Sequence, residues 1–385
     1  MNQRKYGKKL GFEVSALGLG CMRLPRKTDA EGKVIVDREK AYELIRYAAQ
    51  NGINYFDTAY GYHNQTSEEV LGEALEGGLR EKVKIATKQP FNVMTTQGDI
   101  RRNLENTLKK LRTDYIDVYL IHNIQAPFWD EIKRRKVIEE YEKFRAEGLI
   151  RGIAFSYHGQ FPCFKDVLSY YDWDMCQIQQ NLVDIDHEAT EEAIRLAGEK
   201  GSALVIMEPL RGGGLAVPPS PVQKVYDEVA PGRSGVEWAF RHLLNYPQVS
   251  TILSGMTTME QLKENIAIFS KPDAVAGCLS AAEKRALLSA KKTYESLTAV
   301  PCTGCEYCLP CPQGVAIPGV FAGYNEGFMF ENFAQPQRSY MFMTRRGADA
   351  SKCVECGACE AKCPQQIAII EELKKAHEKL AGWAE

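Results

Sequence analysis

Between residue 14 and about residue 270 one unit recurs along the chain: a short apolar or β-branched run, a loop, then an amphipathic stretch of helical period. The apolar runs fall at residues 16–19, 53–57, 83–87, 115–121, 152–156, 175–179, 203–207 and 249–253. The helical stretches between them fall at residues 37–51, 67–76, 99–111, 137–147, 163–170, 188–200, 234–245 and 258–269. Asp37, Ser67 and Thr258 stand where caps belong, and Gly52, Gly77, Gly148 and Gly201 where helices stop. Eight such units predict a closed (β/α)8 TIM barrel, parallel strands inside and helices outside. An open doubly wound sheet is the alternative, but no G-x-G-x-x-G follows an early strand. Residues up to Glu13 read as a small hairpin closing the bottom, and residues 281–297 as one more helix. Pro301 marks a boundary, so residues 1–298 form the barrel and residues 299–385 a cysteine-rich, mostly helical module.

A chain of 385 residues exceeds one ordinary core unless the main domain is a large barrel. Its formal charge of −2 gives no reason to expect nucleic acid or an anionic membrane as partner. No run of 18 apolar residues is present, and Glu13 interrupts the apolar part of the N-terminus, so neither a spanning helix nor a signal peptide is expected. The protein is read as cytoplasmic.

Of the 12 cysteines, eight lie after residue 300 in two tight groups. Cys353, Cys356, Cys359 and Cys363, followed by Pro364, have the spacing C-x2-C-x2-C-x3-C-P, the bacterial ferredoxin run. In that run three thiolates hold one [4Fe–4S] cluster and the fourth serves the other. Cys302, Cys305, Cys308 and Cys311, followed by Pro312, form a similar run one residue shorter. Two clusters are therefore expected, one on Cys302, Cys305, Cys308 and Cys363, the other on Cys353, Cys356, Cys359 and Cys311. Tetrahedral zinc is the competing use of such spacing, although it normally takes two separated C-x2-C pairs. Disulfides do not suit a reducing compartment. Cys21, Cys163, Cys176 and Cys278 are scattered and read as small buried hydrophobes. The stretch 312–352 between the groups reads as helical and aromatic-rich; it either covers the barrel as a lid or fills the small module's own core. The chain closes on a charged helical tail over residues 362–385.

In a (β/α)8 barrel the chemistry sits at the C-terminal ends of the strands. Those ends supply Asp57 and Tyr62 after the second, Lys88 after the third and His122 after the fourth. A lysine ammonium beside a tyrosine favours the phenolate, so Lys88 is expected to lower Tyr62, with Asp57 holding Lys88 in place. Tyr62 then donates a proton to a carbonyl oxygen while His122 orients or polarises it.

The sequence resembles the aldo/keto reductase superfamily over roughly residues 5–270. The resemblance is carried by DTAYGY (57–62), TSEEVLGEAL (66–75), Thr87-Lys88, LRTDYIDVYLIH (111–122), GLIRGIAFS (148–156) and KENI (263–266). It implies that Asp57, Tyr62, Lys88 and His122 are the catalytic set, and that a nicotinamide cofactor binds without a Rossmann domain. It further implies that Ser156 and Gln177 hold the nicotinamide amide. Met207 stands where many members place an aromatic ring, and Tyr157 where asparagine is usual. Gly20, Cys21, Met22 and Asp57 are expected to touch the cofactor too, as are Pro209, Leu210 and Gly214 in and before the loop LRGGGL. That loop brings backbone N–H groups to a phosphate or is simply a flexible turn. Ser254, Gly255, Met256 and Thr257 head a helix, where an anion is favoured, and Glu264 and Asn265 match adenine-side positions. NADP-specific members carry basic residues and a serine where this chain has Gly255, Met256 and Gln261, so NADP and NAD both stay open.

As a whole, the chain resembles the aldo/keto reductases with a fused ferredoxin-type domain. The resemblance implies an oxidoreductase acting on a small carbonyl substrate, with a ferredoxin or other redox protein as a possible partner. Hydride transfer moves two electrons and each cluster one, so a flavin is a further candidate cofactor. The alternative is an electron-transfer protein whose barrel binds flavin or nucleotide while the clusters serve a partner.

Overall fold

The computed structural model describes residues 1–184 and 188–382. It divides into two compact units, one of residues 1–212 and 237–280, the other of residues 213–236 and the chain from Ala281 onward. Among the described residues no helix is long and apolar enough to cross a membrane.

The first unit is a closed barrel of eight parallel strands: β1 (Leu17–Gly20), β2 (Tyr55–Asp57), β3 (Lys84–Pro90), β4 (Ile116–Ile124), β5 (Ile150–Tyr157), β6 (Met175–Gln179), β7 (Ala203–Met207) and β8 (Val249–Ser254). They follow one another round the barrel in chain order, and β8 closes on β1 with Ile252 opposite Leu17. The open-sheet alternative is thereby excluded. β3 and β4 run about three residues past their predicted ends, because Lys88, Gln89 and Pro90 continue to pair with Leu120, Ile121 and His122. The N-terminal hairpin pairs Gln3–Lys5 with Glu13–Ser15. It buries Tyr6 and Val14 in one cluster with Tyr55, Ala86, Leu120, Ala154, Met175 and Val205.

That cluster fixes what stands above it. Strand side chains alternate, so residue i+2 faces the same way as residue i. Two residues beyond Tyr55, Ala86, Leu120, Ala154, Met175 and Val205 come Asp57, Lys88, His122, Ser156, Gln177 and Met207. A polar layer thus sits on the apolar plug, at the C-terminal end of the strands.

Two expected caps are found and one is not. Thr258 and Gln261 form a capping box on the helix Met259–Ser270, and Asp37 accepts from Lys40 N. Ser67 does not cap its helix: Thr66 holds the cap position, and the Ser67 hydroxyl is buried against Thr58 Oγ1 (2.9 Å) and the Cys21 carbonyl (3.2 Å). Three elements are additional to the expected ones, the helices Ala126–Arg134 and Ser220–Asp227 and the hairpin Arg26–Thr28 with Val34–Val36.

In the second unit Val320, Phe321 and Tyr324 of the helix Ile317–Met329 share a buried cluster with Tyr340 of the helix Ala334–Arg345. Ile369, Leu373, Ala376 and Leu380 of the helix Ile369–Leu380 complete it. Of the two readings of the aromatic stretch, Phe321 and Tyr324 take core packing. The charged tail is amphipathic, its apolar residues recurring at helical spacing, and residues 383–385 of it lie outside the described residues.

Candidate active site and cysteine recesses

The Lys88 side chain is 1% exposed, and its ammonium has three N–H groups to satisfy. Three oxygens meet them: Asp57 Oδ1 at 2.5 Å, the Thr58 carbonyl at 2.8 Å and the Tyr62 hydroxyl at 3.4 Å. Burial works to lower Lys88, and the Asp57 carboxylate and Tyr62 outweigh it, so the amine lies above the usual lysine value and stays charged. The His122 ring meets the Tyr62 ring edge-on, centroids 6.0 Å apart. All four expected catalytic residues are therefore gathered at one mouth.

The expectation for Tyr62 needs correction. Burial raises its hydroxyl above the usual value, and the Lys88 ammonium takes back only part of that shift. Desolvation thus outweighs the cation, and the resting group is a phenol. His122 is pushed down to about 3, by burial first and then by the charges of Lys88 and His158, so its imidazole is neutral. Cys21, in the turn after β1, is kept a thiol, raised by burial and then by Asp57.

Sequence reasoning missed the Thr58 carbonyl, and with it His158 and Glu188. His158 Nδ1 lies 3.3 Å from Glu188 Oε1. Strand period was the available signal, because His158 follows Ser156 by two residues.

The thiols gather around two recesses of the second unit. Cys302, Cys305, Cys308 and Cys363 wall one of about 340 Å³. Cys311, Cys353, Cys356 and Cys359 wall another of about 520 Å³, and Cys308 lines both. The last cysteine of each run thus stands with the first three of the other. Burial raises the Cys308 thiol, and so do Cys302, Cys305 and Cys363 around it. Cys359 is raised likewise, by burial first and by Cys353 among its neighbours. Thiols crowded in this way resist ionising unless a cationic centre accepts them as thiolates. Sulfur-only donor sets around a recess fit an iron–sulfur cluster. Among the described residues no group of three or more His, Cys, Asp or Glu side chains is arranged for a single metal ion.

A family model described as the aldo/keto reductase family matches residues 16–276. The chain belongs to the aldo/keto reductase family. A second model, a 4Fe-4S dicluster domain, matches residues 301–368, a span that holds both cysteine groups. The Bacillus subtilis oxidoreductase YqkF is 28% identical over 298 residues, which cover 69% of this chain and 90% of YqkF. Aldo-keto reductase AKR11C1 from Bacillus halodurans, in its holo form, superposes with a TM-score of 0.62 at 27% identity, over 75% of this chain and 96% of its own. An aldo/keto reductase from Klebsiella pneumoniae, solved with NADP and acetate, shares the fold: TM-score 0.59, 22% identity, 74% and 93% coverage. The protein is thus an oxidoreductase of the aldo/keto reductase family with a C-terminal 4Fe-4S dicluster domain.

The expected cofactor residues of this aldo/keto reductase fall into two classes. Some have unspent hydrogen-bonding capacity. Among the described residues Gln177 is buried with Oε1 unpartnered, its Nε2 lying 3.5 Å from Met207 Sδ. Asp57 Oδ2 is buried and also has no hydrogen-bond partner among the described residues. Ser156 Oγ accepts from Asn123 N at 2.8 Å and keeps its own proton. Others are engaged within the barrel. Gln261 Oε1 takes the N–H of Thr257 (2.8 Å) and of Thr258 (3.3 Å), and Asn265 Nδ2 donates to Ser254 Oγ at 3.1 Å. Met256 is 2% exposed, whereas Gly255 is open and the Arg23 side chain lies beside it. In the turn after β7, Gly212 N donates to Glu208 Oε2 (2.7 Å), which makes this a closed turn. Pro209 is buried, Leu210 half-buried, and Gly214 faces the Phe330 ring within the second unit. Met22 and Glu264 are exposed, and Gly20 is half-buried. Tyr157, where asparagine is usual, donates to the Gln160 carbonyl at 2.6 Å and packs on Phe164, a structural use.

Proposed function

We propose that the barrel reduces an aldehyde or ketone using a reduced nicotinamide dinucleotide, and that residues 299–385 hold two [4Fe–4S] clusters. The observation that carries the first part is the Lys88 ammonium with its three oxygens, Tyr62 among them, at the mouth of the barrel. When bound there, the nicotinamide supplies a hydride to the carbonyl carbon. Every other task falls to this chain. Tyr62 gives its hydroxyl proton to the carbonyl oxygen, and Lys88 stabilises the phenolate left behind. A raised Tyr62 does not prevent this, because an alkoxide is a far stronger base than a phenolate. His122, neutral, offers an N–H to the same oxygen without adding charge. Gln177 Oε1 and the Ser156 hydroxyl are one acceptor and one donor, the pair a carboxamide needs. Arg23 beside Gly255 is a cation at the rim for the phosphates of NADP or NAD.

The walls of the two recesses support the cross-over assignment, Cys363 with Cys302, Cys305 and Cys308, and Cys311 with Cys353, Cys356 and Cys359. Clusters held there move one electron each. That favours a second reading, in which a flavin divides electron pairs between barrel and clusters.

Anaerobic purification with iron and sulfide analysis, a visible spectrum, and NADH and NADPH oxidation against aldehydes and ketones tests both readings. Carbonyl-dependent turnover in an iron-loaded protein is expected. Flavin bands without such turnover overturn the first reading in favour of the second.

A further inference from the structure

The helix Ala334–Arg345 has two unlike faces. Pro336 is buried on one, and Tyr340 and Met343 of the same face join the unit's apolar core, against which the cysteines Cys353 and Cys359 also pack. Arg338, Phe342 and Arg345, spaced four and three apart, share the opposite face and are exposed, Phe342 to 51%. The Arg345 guanidinium lies 5.6 Å from the Phe342 ring centre. Arg346 continues this face, and Lys352 ends the segment next to Cys353. Tyr340 ties the helix to that cysteine's loop, its hydroxyl accepting from Ala350 N at 3.0 Å.

Charge on this face is one-sided. From residue 332 to residue 354 the only acid is Asp349, which is 0% exposed. Arg338, Arg345, Arg346 and Lys352 have no ion-pair partner among the described residues. The neighbouring helix Ile369–Leu380 shows the contrast. There Lys374 pairs with Glu355, and Lys375 with Glu371 and Glu372, each at 2.8 Å. A protein of formal charge −2 has left four neighbouring cations unanswered, around one exposed aromatic, beside a cluster cysteine.

We propose that this face, Arg338, Phe342, Arg345, Arg346 and Lys352, docks an acidic one-electron carrier protein of the ferredoxin class. The proposal rests on the reading that the recess at Cys353 holds an iron–sulfur cluster. Complementary charge steers the carrier in, and Phe342 supplies the apolar contact at the centre of the patch. One electron leaves the carrier's reduced centre and enters the oxidised cluster at Cys353; the carrier is oxidised, the cluster reduced, and no bond forms or breaks. A compact patch with one aromatic suits a folded acidic protein better than a nucleic acid, which needs an extended basic track with several stacking rings.

The test uses the full-length iron-loaded protein and an acidic plant-type [2Fe–2S] ferredoxin as probe. Binding is measured by titration calorimetry, and cluster reduction by stopped flow. Affinity and rate should each fall about tenfold or more between roughly 20 and 300 mM NaCl. The variant R338E/R345E/R346E should lose them by a similar factor at low salt, with iron content, visible spectrum and reduction by methyl viologen unchanged. Salt-independent binding, or a variant that binds and reacts like the parent, overturns the proposal. So does a variant that keeps ferredoxin binding but loses binding to a single-stranded oligonucleotide or an anionic vesicle. Protein that carries no iron after anaerobic purification, yet binds ferredoxin with this salt dependence, leaves the docking surface standing and refutes the cluster reading alone.

Discussion

The barrel mouth and the cysteine unit treat their reactive groups in opposite ways. At the mouth, the Lys88 charge is met inside the chain by Asp57, the Thr58 carbonyl and Tyr62. In the recesses Cys308 is raised by burial and by the cysteines around it, and only a backbone contact works the other way. Folding alone satisfies the Lys88 ammonium, although Gln177 Oε1 stays unpartnered among the described residues, whereas the recesses gather thiols that burial and one another keep from ionising. Holding a reacting proton in place calls for fixed partners; holding a cluster calls for ligands that are poorly satisfied until it arrives.

Removing iron should break the symmetry between the units most visibly. Under anaerobic chelation the helices Ile317–Met329, Ala334–Arg345 and Ile369–Leu380 should lose amide-exchange protection while β2, β3 and β4 keep theirs. Equal protection with and without iron would show that the apolar core of the second unit suffices by itself. Cys308→Ser is the sharper version, because Cys308 lines both recesses. Its iron content should fall, and full loading contradicts the assignment.

The mouth has its own breaking point. Lys88→Met leaves Asp57 buried with no cation, which should cost about 3–5 kcal/mol of stability. Adding Asp57→Leu should restore much of that loss while leaving the protein inactive. Urea unfolding of the two variants decides it, and a single variant as stable as the parent would show that the pair is not charged.

Much of this could be read from the chain. Residues 175–179 and 203–207 are strands to the residue, the second a continuous apolar run and the first alternating Met175, Gln177 and Gln179 with Cys176 and Ile178. Asp57, Lys88 and His122 could be placed because a two-residue period and a strand end suffice to aim a side chain. The helix Ala126–Arg134 was hidden by Pro127, which reads as a loop signal yet sits at the start of a helix, where its missing N–H costs nothing. Pro221 concealed the helix Ser220–Asp227 in the same way. Ser67 was misread as a cap since Thr66 qualifies equally, and only packing sends Ser67 inward. The direction of the Tyr62 shift was misjudged for a general reason. A sequence names the neighbouring cation but not how much water the fold removes, and here the lost water outweighs the cation.

Smaller in effect is the loss of one proton donor. Tyr62→Phe keeps the ring against His122 and removes only the hydroxyl. Turnover should fall by roughly a hundredfold or more, about 3 kcal/mol on the barrier. Nucleotide affinity, read by fluorescence titration, should barely change. Undiminished turnover would remove Tyr62 from the mechanism, and a matching loss of nucleotide affinity would recast it as a binding residue.

The smallest effect separates a buried group from a titrating one. His122 is pushed down to about 3 in the folded protein, against about 6.5 for an ordinary histidine. Between these values the unfolded chain binds a proton that the folded chain refuses. Stability from this residue is therefore complete above about pH 6.5 and drains away as pH falls towards 3, by at most about 1.4 kcal/mol per pH unit. His242, buried and pushed down to about 4, acts with the same sign. His122→Gln should accordingly flatten the dependence of urea midpoints on pH between 6.5 and 4 without abolishing it, since His242 remains. Turnover adds a second check, because a residue neutral from pH 5 to 8 gives the rate no ionisation in that range. An acid limb near pH 6.5 in the parent that vanishes in His122→Gln would mean that water reaches the ring, and that the mouth is far less dry than the Lys88 pair requires.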